Sequence, residues 1–205
     1  MLKPYKTPKS PSLADVTINK SRFIARCIPV KSEKEAFKQI ELIRKLHYDA
    51  SHNCWAYNLA DGSMRYSDDG EPGGTAGMPI MDTLVRTDTK NALIIVTRYF
   101  GGILLGSGGL VRAYSRTSVE ALKQAGFAYM TPCSIVEFSV DYGRYGGIEG
   151  FVRENSVVKS VDFLENVSFK CLVECDKADA FVAEIIEQTD GKSTPQIVGE
   201  DYIAK

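Results

Sequence analysis

Asn91-Ala-Leu-Ile-Ile-Val-Thr-Arg98-Tyr-Phe-Gly101-Gly-Ile-Leu-Leu-Gly106-Ser-Gly-Gly-Leu110-Val-Arg112-Ala-Tyr114 decides the fold of this chain. Residues 91–100 form a continuous apolar run rich in β-branched side chains, the pattern of a central strand buried on both faces. From Leu110 the apolar positions Leu110, Tyr114, Ala121, Leu122 and Ala125 keep helical spacing, and Gly126 closes that helix. Between strand and helix stand Gly101, Gly102, Gly106, Ser107, Gly108 and Gly109. A strand that feeds a helix through glycines brings bare backbone N–H groups to the helix N-terminus, where anions are favoured. Arg98 and Arg112 flank the turn, and Arg112, Arg116 and Lys123 share one polar helix face. The stretch therefore predicts contact with phosphate. It lacks the Lys-Ser/Thr ending of a P-loop, and no acidic residue follows at the place a Rossmann fingerprint requires.

Toward the N-terminus, Val16 to Ile28 reads as two strands around a polar Asn19-Lys20-Ser21 turn. Ser32 stands three residues before Glu35, a capping box that opens a helix with Ala36, Phe37, Ile40, Ile43 and His47 on its apolar face. His52 to Leu59 alternates as a strand, Asp61-Gly62 marks a turn, and Pro79 suits the first turn of a short helix ending near Val85. Toward the C-terminus a domain boundary is expected near Met130-Thr131-Pro132. Beyond it the order is strand (134–140), helix (145–154), strand (157–164), strand (167–174), helix (178–188) and strand (194–202). This βαββαβ order is the ferredoxin-like arrangement. The predicted fold class is α+β, with domains at 1–130 and 131–205.

The chain has 205 residues, 44% hydrophobic and 25% charged, an ordinary globular balance. Its N-terminus carries Lys and Pro but no apolar h-region, and no apolar run approaches the roughly 20 residues of a membrane span. A cytoplasmic protein without a membrane role is expected. Five cysteines without paired short spacing, and only two histidines, argue against a disulfide framework or a structural zinc site. Charge is uneven. Residues 1–130 carry 18 Lys and Arg against 12 Asp and Glu, and residues 131–205 carry 7 against 14. The first part is thus the better candidate for a nucleic-acid or phosphate surface.

A second loop, Ser67-Asp68-Asp69-Gly70-Glu71-Pro72-Gly73-Gly74-Thr75-Ala76-Gly77, carries three carboxylates within four residues. Asp68, Asp69 and Glu71 are candidate Mg²⁺ ligands, while Gly73, Gly74 and Thr75 are candidates for an anion-binding nest. A tight turn satisfied by its own Asp and Gly residues is the competing structural reading. Ten of the 17 glycines lie between Gly62 and Gly109, in two loops on either side of one predicted strand, which favours a paired-loop binding surface. Cys54 lies two residues from His52, but no orienting carboxylate accompanies them, so no catalytic constellation is assigned. No cofactor is expected beyond Mg²⁺ at those carboxylates.

The two motifs, Ser67-Asp-Asp-Gly-Glu-Pro with Gly-Thr-Ala-Gly and then Arg98 to Tyr114, resemble those of the IMPACT/YigZ-like family over nearly the whole chain. Met78 departs from the resemblance, standing where that family often has a basic residue. The resemblance implies an N-terminal domain of the ribosomal-protein/elongation-factor domain-two-like fold. It implies a C-terminal domain similar to the last, ferredoxin-like domain of elongation factor G. It also implies a translation-associated regulator whose partner is RNA, the ribosome or a translation-related protein. Arg98, Arg112 and Arg116 would contact phosphate, with the loop glycines admitting it to the backbone. Two alternatives stand beside this reading: a nucleotide- or phosphate-binding enzyme, since the superfold includes small-molecule kinases, and a pure protein-interaction module.

Overall fold

The computed structural model describes residues 2–205. In chain order the elements are β1 (Tyr5–Pro8), β2 (Ser12–Ile18), β3 (Ser21–Pro29), α1 (Glu33–Leu46), β4 (His52–Asn58), β5 (Met64–Ser67), α2 (Gly77–Arg86), β6 (Ala92–Tyr99) and α3 (Gly106–Ala125). They continue as β7 (Phe127–Val140), α4 (Tyr142–Asn155), β8 (Val157–Phe163), β9 (Val167–Glu174), α5 (Ala178–Gln188) and β10 (Gln196–Ala204). The protein is α+β, and its chain divides into two units, Tyr5–Tyr129 and Met130–Lys205 with residues 2–4.

In the first unit the sheet order is β2-β3-β6-β4-β5, every neighbour antiparallel. The apolar run of β6 lies at the centre because both of its faces are covered. Ala92, Ile94 and Val96 join the core under α2 and α3, with Phe23, Ile80, Leu84 and Leu110. Leu93 and Ile95 face the opposite way, packing with Trp55, Tyr57 and the Ala36, Ile40 and Ile43 stripe of α1. Each fully buried Ile or Leu there contributes about 1.5–3 kcal/mol. The β2–β3 hairpin turns through Asn19 and Lys20, both at positive φ (45° and 64°), as a tight two-residue turn requires. Ser32 caps α1 by accepting from the Glu35 N–H, while the Glu35 carboxylate accepts from the Lys31 N–H, one residue earlier than an ideal capping box.

In the second unit β10-β7-β9-β8 pair antiparallel in that order. Val136, Phe138 and Phe169 from the strands meet Ile148 and Val152 of α4 and Phe181 of α5 in its core. Among the described residues no helix is long and apolar enough to cross a membrane.

The structure differs from the sequence expectations at element ends. α3 starts at Gly106 rather than Leu110, so Gly106, Ser107, Gly108 and Gly109 form its first turn and not a preceding loop. β7 starts at Phe127 rather than residue 134. β1 and β5 are short strands that the sequence pattern does not announce.

Candidate functional site

The Asp/Gly loop between β5 and α2 is built around its own carboxylates. Asp68 Oδ1 accepts from the N–H groups of Ala76 (3.0 Å) and Gly77 (2.8 Å), and Oδ2 accepts from Gly74 N–H (2.9 Å). Asp68 therefore caps α2, whose N-cap residue Ala76 has no side chain to do so. Asp69 Oδ1 accepts from Arg44 at 2.8 Å and Oδ2 from the Asn53 N–H at 2.7 Å. Thr75 donates its hydroxyl to the Pro72 carbonyl. Of the predicted anion nest of Gly73, Gly74 and Thr75, only Gly74 turns its N–H to Asp68, while the Thr75 N–H donates to the Pro72 carbonyl. The predicted metal ligands Asp68, Asp69 and Glu71 turn to three separate sets of donors. Among the described residues no group of three or more His, Cys, Asp or Glu side chains is placed to hold a metal ion.

Glu71 and Arg98 join the two motifs. Arg98, on β6, is only 5% exposed, and its Nη1 donates to Glu71 Oε1 at 2.7 Å. Tyr114 of α3 donates its hydroxyl to the same oxygen at 2.7 Å. The Arg98 guanidinium lies 5.5 Å from the ring centres of Phe23 and Phe100, and its Nε has no hydrogen-bond partner among the described residues. A buried pair of this kind is costly to break, because either charge left alone keeps its desolvation penalty. Arg98, read from sequence as a surface cation, is instead committed to a carboxylate. Paired Arg is the form in which that residue tolerates a core.

The single S–H of Cys54 is within reach of two acceptors, the Asp68 carbonyl (3.0 Å) and the Tyr114 hydroxyl (3.4 Å). Burial pushes both the Cys54 thiol and the Tyr114 phenol far above their ordinary values, so Cys54 has no thiolate to offer as a nucleophile. His52 Nε2 lies 3.9 Å from Glu71 Oε2, and its Nδ1 is 2.8 Å from the Asp69 carbonyl. His52, Cys54 and Tyr114 are the members of this constellation that sequence reasoning did not place in the site. The signal for Tyr114 is a phenol on an otherwise apolar helix face, where a buried hydroxyl must find a partner.

The glycines of the second motif serve distinct ends. A Cβ on Gly101 would meet the Lys20 backbone at 2.1 Å, so only glycine admits the β2–β3 turn there. Gly102 and Gly106 adopt positive φ (82° and 69°), steering the chain into α3. The first turn of α3 has no side-chain cap, and Gly106, Ser107 and Gly108 are exposed.

Two open clefts meet this helix start. One, of about 430 Å³, is lined by His52, Glu71, Arg98, Phe100, Gly106 and Ser107 among others. The other, of about 580 Å³, is lined by Asn19, Gly109, Val111, Arg112 and Arg116 among others, and Leu105 borders both. Arg112 and Arg116 are exposed and form no ion pair among the described residues. The structure therefore brings Arg112 and Arg116 together beside the glycines, and turns Arg98 inward to Glu71.

Fold and site together define an α+β protein of two sheet-based units, with an uncapped, glycine-started helix beside a buried Arg–Glu pair. The chain belongs to the IMPACT family. Residues 19–122 match the Impact N-terminal domain, and residues 138–192 match a domain of unknown function (DUF1949). The IMPACT family member YvyE of Bacillus subtilis is 40% identical, over 94% of this chain and 90% of its own. YigZ of Escherichia coli, also an IMPACT family member, is 32% identical over 90% of this chain and 93% of its own. A crystal structure of "an hypothetical protein" superposes with a TM-score of 0.66 at 29% identity, covering 97% of this chain and 98% of that one.

Proposed function

We propose that this protein is a cytoplasmic, non-enzymatic regulator that binds single-stranded RNA, free or within the ribosome, through the start and cationic face of α3. The observation that carries this reading is the pair Arg112 and Arg116, exposed and without carboxylate partners among the described residues, on the two helical turns that follow the uncapped amides of Gly106, Ser107 and Gly108. Unpaired arginines beside free N–H groups are the components of phosphate contact. Lys20 in the β2–β3 turn and half-exposed Phe100 add a cation and a stacking ring within the same unit. The resemblance to translation regulators supports a translation-linked RNA. In the second unit, the β10-β7-β9-β8 order supports the ferredoxin-like reading. The enzymatic alternative draws less support, because the Asp68 and Asp69 carboxylates are occupied by protein donors.

Fluorescence anisotropy with a labelled uridine-only oligonucleotide tests the surface. Affinity falls steeply between about 50 and 200 mM salt, and Arg112→Ala and Arg116→Ala each lower the log–log salt slope by about 1. Both variants keep their stability within about 0.5 kcal/mol, as exposed sites do. Absence of binding at low salt, or an unchanged slope in both variants, refutes the reading.

A further inference from the structure

We infer that the cleft at Glu71 and His52 is a nucleobase pocket that selects guanine. This inference rests on the RNA-binding reading above and names the base that reading leaves open. Glu71 Oε1 is saturated by Arg98 and Tyr114, whereas Oε2 accepts from no donor among the described residues. Beside it, at 3.9 Å, lies His52 Nε2. The partner of His52 Nδ1 is the Asp69 carbonyl, which can only accept, so Nδ1 carries the hydrogen. In the neutral ring Nε2 then presents a lone pair. Two acceptors thus stand side by side, with no protein donor between them.

The ligand that satisfies them needs two adjacent donors and no net charge. A cationic ligand is disfavoured because Arg98 already neutralises Glu71 at 2.7 Å, and a further buried cation would have no counter-charge. Among the bases, guanine alone places two donors, N1–H and the N2 amino group, next to each other on its Watson–Crick edge. Adenine and cytosine set an amino group beside an acceptor, and uracil sets one N–H between two carbonyls. Either arrangement would bring acceptor against acceptor here. The remaining walls are suited to a flat ring: Pro72, Leu104, Leu105 and Leu110 are apolar, and Phe100 offers a half-exposed face. A volume of about 430 Å³ is within the range of about 300–1,000 Å³ usual for small-molecule sites. Gly106 and Ser107 border the same cleft, so a strand tracking the α3 surface can deliver a base to Glu71.

Isothermal titration of the full-length protein with guanosine, inosine, adenosine and uridine 5′-monophosphates tests this directly. Inosine keeps N1–H and lacks only the amino group. Guanosine monophosphate should bind about tenfold tighter than the inosine nucleotide, with the other two weaker still. Equal affinity for the guanosine and inosine nucleotides, or no heat from the guanosine nucleotide at millimolar concentration, overturns the inference. With Glu71 Oε2 taking N1–H and His52 Nε2 taking the N2 amino group, His52→Phe removes the amino group's acceptor while leaving the Glu71–Arg98 pair, and should abolish the guanosine-over-inosine preference. A preference that survives His52→Phe also overturns it. The two readings fail separately. Loss of uridine-only RNA binding counts against the arginine surface, whereas RNA binding without a guanosine–inosine difference removes the pocket alone.

Discussion

Replacing either member of the Glu71–Arg98 pair should destabilise the first unit far more than replacing both. In Glu71→Leu, Arg98 stays 93–95% enclosed with no carboxylate partner among the described residues, where its Nε already has none. In Arg98→Met, Glu71 keeps only the Tyr114 hydroxyl as a strong donor. Each single change should cost about 3–5 kcal/mol, the usual consequence of stranding one buried charge. The double variant removes both charges and leaves Tyr114 with an unplaced hydroxyl proton, a residual cost of about 1–3 kcal/mol. The coupling between the sites is then several kcal/mol, where independent sites would add. Trp55 is the one tryptophan in the chain, is buried, and lies in the Tyr5–Tyr129 unit, so its fluorescence follows that unit's unfolding in urea. For a slope of about 2 kcal/mol per molar urea, a 4 kcal/mol loss lowers the midpoint by about 2 M. Single-variant costs that sum in the double variant would refute the claim that the two motifs are held together by this pair.

Gly101→Ala should destabilise the same unit by about 1–3 kcal/mol, since its Cβ would press on the Lys20 backbone rather than on a yielding side chain; an unchanged urea midpoint would contradict this. Burial pushes the Cys27 thiol from its ordinary value near 9 up to about 12. The folded state therefore favours the protonated thiol: the stabilisation is fully present below pH 9 and is lost as pH rises toward 12. Its share of that loss is about 1.4 kcal/mol per pH unit, so Cys27→Ala should flatten the alkaline limb by that slope in Trp55-monitored urea titrations.

Much of the fold was legible because it follows from local periodicity. The β6 run reads as a two-faced strand since Leu93 and Ile95 need cover as much as Ile94 and Val96 do. The Ser32–Glu35 spacing locates α1 within a residue. The start of α3 was not legible, because glycines carry low helix propensity and tertiary placement overrides it here. β1 and β5 were missed for a related reason: four-residue strands that include Pro8 or the exposed Met64, Arg65 and Tyr66 carry too little alternation to stand out. The site was legible as two motifs but not as one constellation. Glu71 and Arg98 are 27 residues apart, and no sequence pattern says which carboxylate an arginine will find.

That pairing alters what the motifs mean. A motif rich in Gly, Asp and Arg invites a single functional reading, yet its members divide by whether the protein has already used their polar atoms. Asp68 is spent on α2, Asp69 on Arg44 and Asn53, Arg98 on Glu71, and Gly101 on the β2–β3 turn. These groups hold β4, β6, the Asp/Gly loop and α3 in one register, so their chemistry serves the scaffold. What remains unspent is Glu71 Oε2, His52 Nε2, the first-turn amides of α3, and Arg112 with Arg116. Those leftovers border two clefts that share Leu105 as a common wall. Buried polar groups that saturate one another can be fixed in place, and only fixed groups can present their remaining lone pairs to a ligand without paying to organise them on binding. The structural half of each motif is thus the precondition of the binding half, and a substitution in the first should weaken ligand selection even where the second is untouched.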